Sequence, residues 1–507
     1  MLILILLIGL LSSFSYDYFL IKKPLSAWQR PKAALYLHTG TWLLSCAIIL
    51  LLCQRPWFAV ILLNAGQLLL LLVHHAKYHS LREAFIYQDF DYFTDAIKHP
   101  RLYLPFFGIA RTLGATLAFI SAVSIGVLIE TPLNLSVLLS SSVILIILAY
   151  VLIRLGLANS PKLSYLPEQD LQLLGQLAFF WGYWQAEREA WTDINNAVLN
   201  EAGAHLNNQN KLPSIIAVQS ESFFDARTLS ATIKTEVLTN FDNIKQQSHS
   251  HGRFIVPAWG ANTVRTEAAF LTALSPEQLG IHRFNPYRLF AKQAVNNIVG
   301  LLKQRGYYTV CIHPYPASFY ERDKVFPRLG FDEFIDIKAF TVQADYNKGN
   351  ENGQFIADLN VAAKIENLLT AHSTNKPLFI FVITMENHGP LHLESASVAD
   401  NAAFYKQTPP AHWQDLTVYL KHLQNADNMI AQLQQSLLND ALNKNRDGVL
   451  CWYGDHVPIM PQVYYDLGEP NGDTEYFIWQ TKKTATVNSQ EQILSAHELA
   501  VQLLKSL

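Results

Sequence analysis

Near the C-terminus, the chain contains the run Val449-Leu450-Cys451-Trp452-Tyr453-Gly454-Asp455-His456. Its apolar part predicts a buried β-strand, and two metal-binding side chain types follow directly after the glycine. A second strand-like run begins at Ser214 and ends in the carboxylate of Glu221. Since the carboxyl ends of parallel strands meet at one edge of a sheet, these two strand ends would aim three ligands at one ion. Alone, the Gly-Asp-His triplet also suits an ordinary turn, so the metal-site interpretation depends on the other motifs.

Apolar residues are concentrated in the first third of the 507-residue chain, in stretches that approach or reach the ~20 residues needed to cross a bilayer. They run from Met1 to Leu11 with an aromatic continuation to Ile21, and at Thr41 to Cys53, Trp57 to Val73, Leu104 to Leu128 and Leu135 to Leu157. We therefore predict an α-helical transmembrane domain of about five spans over residues 1–158. The first stretch lacks a basic start and a clear cleavage site, which favours an uncleaved anchor over a signal peptide.

The orientation of the predicted spans is a point on which two rules disagree. An odd number of spans and a cytoplasmic start place the C-terminal part outside the membrane. The positive-inside count opposes this, because Lys22, Lys23, Arg30 and Lys32 then lie on the external side.

Charge and cysteine content exclude some classes of protein. The net charge of -3 gives no electrostatic reason to expect nucleic acid as a partner. The four cysteines lie in apolar segments without paired spacing, so they predict neither a disulfide framework nor a zinc knuckle.

Two segments connect the apolar stretches with the rest of the chain. His74 to Pro105 mixes aromatic and charged residues, which suits either a helix at the membrane surface or an ordinary loop containing a helix. Pro167 to Leu199 predicts a helix rich in Trp and Tyr, and a polar stretch follows from Asn207 to Lys211. We interpret residues 159–211 as a juxtamembrane helical linker that leads into a soluble domain of residues 212–507.

In the soluble part, short β-branched or aromatic runs alternate with amphipathic helical patterns. Predicted strands are Ser214 to Val218, Tyr308 to Ile312, Leu378 to Thr384, Gly448 to Tyr453 and Tyr476 to Trp479, and predicted helices include Ala291 to Arg305, Gln354 to Thr370 and Asp415 to Leu438. Such alternation predicts an α/β domain with a mostly parallel sheet covered on both faces.

A small polar loop, Trp259 to Asn262, leads into Thr263-Val264-Arg265-Thr266-Glu267 and an apolar helical stretch. A helix that begins here places Thr263 at its N-terminus, where amides and the helix dipole favour an anion. A threonine hydroxyl becomes a nucleophile only when a metal ion or a base lowers its pKa. From this segment alone, Thr263 suits a helix cap as well as a catalytic residue.

The motifs taken together resemble those of a known family. Glu221, Thr263, Asp455 and His456 occur in order with His313-Pro-Tyr-Pro-Ala-Ser-Phe-Tyr-Glu-Arg322 and Glu-Asn-His388-Gly-Pro. The chain resembles the membrane-anchored lipoteichoic acid synthase and phosphoglycerol transferase group of the alkaline phosphatase and sulfatase superfamily. The resemblance covers the five-span layout and nearly all of the soluble domain.

The resemblance implies a set of site residues and a cofactor. Glu221, Thr263, Asp455 and His456 match the ligands of one divalent ion, usually Mn²⁺, with Mg²⁺ or Zn²⁺ as substitutes, and Thr263 also matches the nucleophile. Arg322 and His388 match groups that hold phosphoryl oxygens, and His313 and Tyr320 match positions that line the same pocket. The resemblance also implies an outward-facing catalytic domain in the bacterial inner membrane, and on that ground we place residues 212–507 outside.

The expected reaction is transfer of phosphoglycerol from phosphatidylglycerol to a glycan or envelope lipid through a phosphoryl-threonine. Sulfate ester hydrolysis is disfavoured, because no Cys or Ser in a Cys/Ser-x-Pro-x-Arg setting stands at Thr263. Tyr320 stands where the family commonly has tryptophan, and the loop before Thr263 also differs, which disfavours teichoic acid polymerisation. Phosphoethanolamine transfer, a phosphodiesterase and a non-catalytic lipid-binding homologue remain alternatives.

Several further polar residues are assigned structural or solvated roles. Glu267, one helical turn after Thr263, suits a structural partner of the site better than a ligand. His392, His412 and His422 have no recognisable partner and are expected on the surface. Asp427 is expected on the solvated face of a long helix.

Overall fold

The computed structural model of the chain describes residues 1–91, 129–192, 197–208, 211–340, 353–372, 376–482 and 491–507, with the single positions 114, 117, 120, 121, 124 and 126. These residues form two compact units, Met1–Trp191 and Thr192–Leu507. The predicted boundaries of the transmembrane domain, the linker and the catalytic domain stay predictions.

The first unit is helical. Its α-helices over the described residues are α1 Leu2–Ser15, α2 Lys32–Cys53, α3 Pro56–Leu81, α4 Leu135–Ala158, α5 Pro167–Leu174 and α6 Gln176–Glu187. Four described segments, Leu2–Phe19, Lys32–Cys53, Pro56–Leu81 and Leu135–Ala158, are long and apolar enough to cross a membrane. Most of the remaining predicted span, Leu104 to Leu128, and most of the segment up to Pro105 that follows α3 lie outside the described residues.

Two details of this unit differ from the sequence-based expectations. The predicted helix from Pro167 to Leu199 is divided at Gly175, whose φ of 74° is a backbone conformation that favours glycine. Arg30, one of the basic residues that oppose the predicted orientation, is buried and its Nη1 lies 2.5 Å from Asp17 Oδ2. Part of the basic charge of this loop is therefore neutralised inside the unit.

The second unit is an α/β domain. Its strands are β1 Ser214–Ser220, β2 Ser250–Ile255, β3 Tyr308–Ile312, β4 Glu333–Ile335, β5 Leu378–Ile383, β6 Gly448–Gly454, β7 Thr474–Gln480 and β8 Leu494–Ser495. Its α-helices are α7 Ala197–Ala202, α8 Thr239–Gln246, α9 Thr263–Thr272, α10 Pro276–Leu279, α11 Pro286–Phe290, α12 Ile298–Gln304, α13 Arg322–Leu329, α14 Asp358–Ala371, α15 Val398–Phe404, α16 Gln414–Lys444, α17 Pro461–Leu467 and α18 Ala496–Ser506. Short 3₁₀ turns connect several of them.

The eight strands form one sheet in the order β4-β3-β5-β1-β6-β7-β2-β8. The five strands from β4 to β6 pair in parallel, while β7 is antiparallel to both of its neighbours. Every residue of β1, β5 and β6 is buried, which explains why these strands have continuous apolar runs rather than alternating ones. The predicted α/β class with a mostly parallel sheet is confirmed.

All five predicted strands are present, whereas three strands lack a clear sequence signal. β2, Ser250–Ile255, contains His, Gly and Arg, and β4 and β8 contain only three and two residues. These strands lie toward the two edges of the sheet. There a strand forms because it pairs with its neighbour, and its sequence does not need an apolar pattern. The helix predicted from Ala291 is shorter than expected and begins at Ile298.

Two of the residues expected on the surface are buried on α16. Asp427 is 2% exposed and accepts hydrogen bonds from the backbone N–H groups of Asn240 and Phe241 at the start of α8, at 3.0 and 2.7 Å. His422 is 1% exposed, and its Nε2 lies 3.0 Å from Glu394 Oε2. The expectation of a solvated position was wrong for both, because this 31-residue helix is covered by other elements on more than one side.

Candidate active site

The site begins with the register between the two central strands. Ser220, the last residue of β1, pairs with Gly454, the last residue of β6. The next residues, Glu221 and Asp455, therefore leave the same edge of the sheet side by side. This is the arrangement that the two strand ends predicted.

Glu221, Asp455 and His456 form a cluster that could hold a metal ion, with one ligand atom from each residue within 4.8 Å of the others. His456 Nε2 lies 3.5 Å from Glu221 Oε1 and 3.4 Å from Asp455 Oδ2. On the other side of the ring, Nδ1 lies 3.1 Å from the Val457 carbonyl oxygen. A hydrogen bond from Nδ1–H to that carbonyl leaves the Nε2 lone pair directed at the two carboxylates.

The burial and bonding of the two carboxylates fit a cation. Both side chains are at most 2% exposed, and Glu221 Oε2 and Asp455 Oδ2 have no hydrogen-bond partner in the structure. Burial and the neighbouring Asp455 carboxylate raise the pKa of Glu221 to about 8. Two buried acidic groups with unpartnered oxygens are costly unless a positive charge compensates them, so the donor set of two carboxylates and one imidazole suits a divalent ion.

Thr263 is the first residue of α9 and is 8% exposed. Its helix is fixed to the strand ends by two contacts. The Thr266 hydroxyl donates to the Asp455 carbonyl oxygen at 2.8 Å, and the Gln219 amide nitrogen lies 3.5 Å from the Thr263 carbonyl oxygen. The preceding residue, Asn262, has a φ of 65°, which turns the chain abruptly into the helix. The N-terminus of α9 therefore lies at the same edge of the sheet as the carboxylates.

Arg322 and His313 form a second part of the site. Arg322 is 1% exposed, and its Nε and Nη2 donate to Glu267 at 3.0 and 2.8 Å. Its Nη1 donates to His313 Nε2 at 3.1 Å, while His313 Nδ1 lies 3.1 Å from the Ile383 carbonyl oxygen. Burial and the adjacent guanidinium hold the pKa of His313 well below its usual value, so the ring is neutral.

His388 and Tyr320 lie beside these groups. His388 Nδ1 lies 2.6 Å from the Gly389 carbonyl oxygen, and burial lowers the pKa of the imidazole while the Asp455 carboxylate opposes that shift. The half-buried Tyr320 has its ring centroid 5.2 Å from Arg322 Cζ, which is a cation–π distance. The His388 imidazole interacts electrostatically with Asp455 in the first part of the site and with His313 in the second.

Two residues of the site, Ser222 and Thr384, carry no distinctive signal in the sequence. The Ser222 hydroxyl lies 3.1 Å from Glu221 Oε1 and 3.3 Å from His456 Nδ1, and its backbone N–H donates to Asp455 Oδ1 at 2.8 Å. The Thr384 hydroxyl accepts from the Glu221 backbone N–H at 3.0 Å. Glu267, expected as a structural partner, holds Arg322 and also accepts from the Tyr287 hydroxyl. Such residues follow strand ends or occupy a helix, and only tertiary contacts reveal them.

This fold and site define a class of α/β domain in which a mostly parallel sheet carries, beside a helix N-terminus, an acidic cluster that could hold a metal ion. The sequence profile of the sulfatase family matches residues 213–507, and the chain belongs to that family. Its relatives include a lipoteichoic acid synthase and, among solved structures, a phosphoethanolamine transferase, and the resemblance drawn from the motifs is confirmed.

Individual relatives are similar over part or all of the chain. Capsular polysaccharide biosynthesis protein RkpI of Rhizobium meliloti is 30% identical over 282 residues, which cover 55% of this chain and 47% of that protein. Lipoteichoic acid synthase 1 of Bacillus subtilis is 24% identical over 159 residues, 31% of this chain and 22% of that protein. The chain thus matches less than half the length of these relatives.

A solved structure shares the fold over nearly the whole chain. It is the integral membrane protein lipooligosaccharide phosphoethanolamine transferase A of Neisseria meningitidis, with a TM-score of 0.56 and 12% identity, covering 99% of this chain and 95% of that one. The apolar helices and this membrane-protein fold indicate that the chain is anchored in a membrane.

Proposed function

We propose that this protein transfers phosphoglycerol from phosphatidylglycerol to a glycan or envelope lipid through a phosphoryl-threonine at Thr263. One divalent ion, Mn²⁺ in the first instance and Mg²⁺ or Zn²⁺ as substitutes, would be held by Glu221, Thr263, Asp455 and His456. The observation that carries the proposal is the buried cluster of Glu221, Asp455 and His456, with its unpartnered carboxylate oxygens, at the sheet edge where α9 begins with Thr263.

The ion, when bound, lowers the pKa of a coordinated hydroxyl and offsets negative charge. The Thr263 hydroxyl loses its proton as its oxygen attacks the lipid phosphorus, the bond from phosphorus to the diacylglycerol oxygen breaks, and that oxygen takes up one proton as it leaves, so the step is proton-neutral. A hydroxyl of the acceptor then attacks the phosphoryl-threonine, loses its proton and releases Thr263. Phosphoglycerol passes to the acceptor with no net change in charge.

The chain's own side chains supply the remaining roles. His388 donates from Nδ1 to the Gly389 carbonyl, so its Nε2 is the atom that would move a proton to the leaving alcohol and from the acceptor. Arg322 would stabilise charge on the phosphoryl oxygens from a position fixed by Glu267. His313 is engaged by Ile383 and Arg322, which supports a positioning role for it, and Tyr320 would line the pocket beside the guanidinium.

The proposed location is the bacterial inner membrane, with the catalytic domain on the periplasmic or external side where outer-leaflet headgroups are accessible. A reporter fused within the 159–211 segment tests it, and a cytoplasmic signal would contradict the lipid-headgroup substrate.

The experiment that tests the function uses the purified full-length protein with Mn²⁺ and phosphatidylglycerol or phosphatidylethanolamine with labelled headgroups. We expect release of diacylglycerol from phosphatidylglycerol by the parent protein, and loss of that release in Thr263→Ala. The exposed Thr228→Ala serves as a matched control and is expected to behave as the parent. Turnover of phosphatidylethanolamine alone would identify a phosphoethanolamine transferase, and turnover of neither lipid would refute headgroup transfer from these donors.

A further inference from the structure

We infer that the cavity beside α17 is a subsite for a neutral carbohydrate, namely the acceptor of the transfer reaction. The inference rests on the proposed function and names the substrate class of its second half-reaction. The cavity has a volume of about 520 Å³, within the range of small-molecule sites, and is lined by His412, Pro461, Gln462, Tyr465 and Asp466.

Contacts of α17 connect this cavity with the two segments that carry the proposed catalytic groups. Its buried residue Tyr464 donates from its hydroxyl to the Pro458 carbonyl oxygen at 2.6 Å, and Pro458 is two residues beyond the metal-ligand candidate His456. The Tyr464 ring also packs against Trp259, four residues before Thr263, with ring centroids 5.8 Å apart. The segment that follows His456 and the segment that precedes Thr263 therefore both contact α17. An α-helix is about 10 Å wide, so the cavity on its surface lies within about that distance of these contacts.

The next residue, Tyr465, lies about 100° further around the helix axis than Tyr464 and is 91% exposed. A large aromatic side chain that projects into solvent over a cavity offers a flat apolar face for stacking against a ring. A pyranose ring presents a matching face of C–H groups, with hydroxyls around its edge.

The polar groups of the cavity are pre-oriented. Trp413 Nε1 donates to Asp466 Oδ2 at 3.0 Å, and His412 Nε2 contacts the same oxygen. These bonds hold the pKa of Asp466 below its usual value, so the group is an ionised acceptor. Together with the amide of Gln462, the cavity offers both donors and acceptors to hydroxyl groups.

The same chemistry disfavours the lipid headgroup as the occupant. A phosphate diester is an anion, and Asp466 would repel it. Neither Lys nor Arg occurs among the described residues that line the cavity. The donor phosphate therefore belongs at Arg322 and at the ion held by the cluster of Glu221, Asp455 and His456. The uncharged, hydroxyl-bearing acceptor belongs in the cavity beside α17.

Binding to the full-length protein in detergent tests this inference. The probes are labelled neutral gluco-, galacto- and manno-oligosaccharides, with phosphatidylglycerol vesicles as the second arm. We expect one of the oligosaccharides to bind, and its dissociation constant to rise about ten-fold or more in Tyr465→Ala and Asp466→Asn. Tyr465→Phe is expected to retain binding, because it keeps the ring. The control Leu442→Ala removes a side chain that is 83% exposed near the other end of α16.

Three results would each overturn the inference. They are no binding of any oligosaccharide, unchanged binding in both Tyr465→Ala and Asp466→Asn, and vesicle binding that depends on Tyr465. A second readout separates its failure from that of the proposed function. Water takes the phosphoglycerol from the phosphoryl-threonine when no acceptor is bound, so the ratio of modified glycan to released diacylglycerol is expected to fall about ten-fold in Tyr465→Ala at low acceptor concentration. If the parent protein releases no diacylglycerol, the proposed function is contradicted. If diacylglycerol is released and the ratio in Tyr465→Ala equals that of the parent, only the acceptor subsite is contradicted.

Discussion

Arg322 and Glu267 form a fully buried ion pair with two parallel hydrogen bonds, from Nε to Oε1 at 3.0 Å and from Nη2 to Oε2 at 2.8 Å. The planar guanidinium is thereby held in one orientation, with Nη1 toward His313. Because Glu267 lies on the helix that begins at Thr263, the pair connects the proposed nucleophile to the group that would hold the phosphoryl oxygens. A removal of either charge leaves the other buried without compensation.

Glu267→Gln is expected to reduce both activity and stability. The loss of the negative charge leaves Arg322 uncompensated, which costs about 3 kcal/mol for a buried pair, and the altered orientation of the guanidinium lowers headgroup transfer about 100-fold. Turnover and the melting temperature of the full-length protein in detergent are the two measurements. Glu321→Gln, which removes an exposed partner of Lys324, is the matched control and is expected to change either value little. Parental activity in Glu267→Gln would contradict the positioning role.

Ser222→Ala is expected to weaken binding of the divalent ion. The hydroxyl contacts both Glu221 and His456, so its removal frees two of the three ligand candidates to change orientation. Loss of a group that orients ligands typically costs 10- to 100-fold in metal affinity, and we expect about 10-fold here. Equilibrium dialysis against Mn²⁺ with measurement of bound metal tests this without requiring turnover. Ser397→Ala, an exposed helix cap far along the chain, is the control, and equal metal content in the two variants would count against the cluster as the metal site.

Gly454→Ala is expected to abolish metal binding and to destabilise the domain. A Cβ atom at this position would lie 1.9 Å from the Phe223 carbonyl oxygen and 3.0 Å from the Thr474 Cβ atom, so the backbone that carries Asp455 must move. A glycine is therefore required at this position of the Gly-Asp-His triplet, because the backbone of Phe223 leaves no room for a Cβ atom. Gly300→Ala is the control, because its nearest neighbour would be 3.7 Å away within α12, and it is expected to stabilise the helix by about 0.5–1 kcal/mol. Metal content and melting temperature distinguish the two variants.

Glu475 is expected to make the stability of the domain depend on pH. Burial and the nearby Asp225 carboxylate raise the pKa of Glu475 to about 8, above its usual value near 4.5. The folded state therefore keeps a proton that the unfolded state releases, so the favourable contribution is complete below about pH 4.5 and is lost as the pH rises through about 8.

The corresponding measurement compares Glu475→Gln with the parent protein at pH 5 and pH 9. The neutral amide can still accept the Asp225 N–H, so we expect the variant to melt about 5 °C above the parent at pH 9 and near the parent at pH 5. The exposed Glu366→Gln is the control, and its difference from the parent should not change between the two pH values. If the melting temperature of Glu475→Gln differs from that of the parent by the same amount at both pH values, the raised pKa of Glu475 is contradicted.

The central part of the fold and the identity of the cluster of Glu221, Asp455 and His456 are predictable from the amino-acid sequence. Continuous apolar runs at β1, β5 and β6 indicate strands buried on both faces, and the polar residues that follow β1 and β6 meet at one edge because parallel strands share their direction. The apolar helices before the domain are equally visible, since a bilayer-spanning length is a local property.

The contacts that hold those residues in place depend on the tertiary structure. No local pattern connects Ser222 with His456, Glu267 with Arg322, or Asp427 with the start of α8, because each contact joins segments between 55 and 234 positions apart. The same holds for β2, β4 and β8, which depend on a neighbouring strand, and for the cavity beside Tyr465, which two separate segments create. Side chain identity specifies which groups can bind a cation or donate a hydrogen bond. The register of the sheet and the packing of α9, α16 and α17 specify which of them meet.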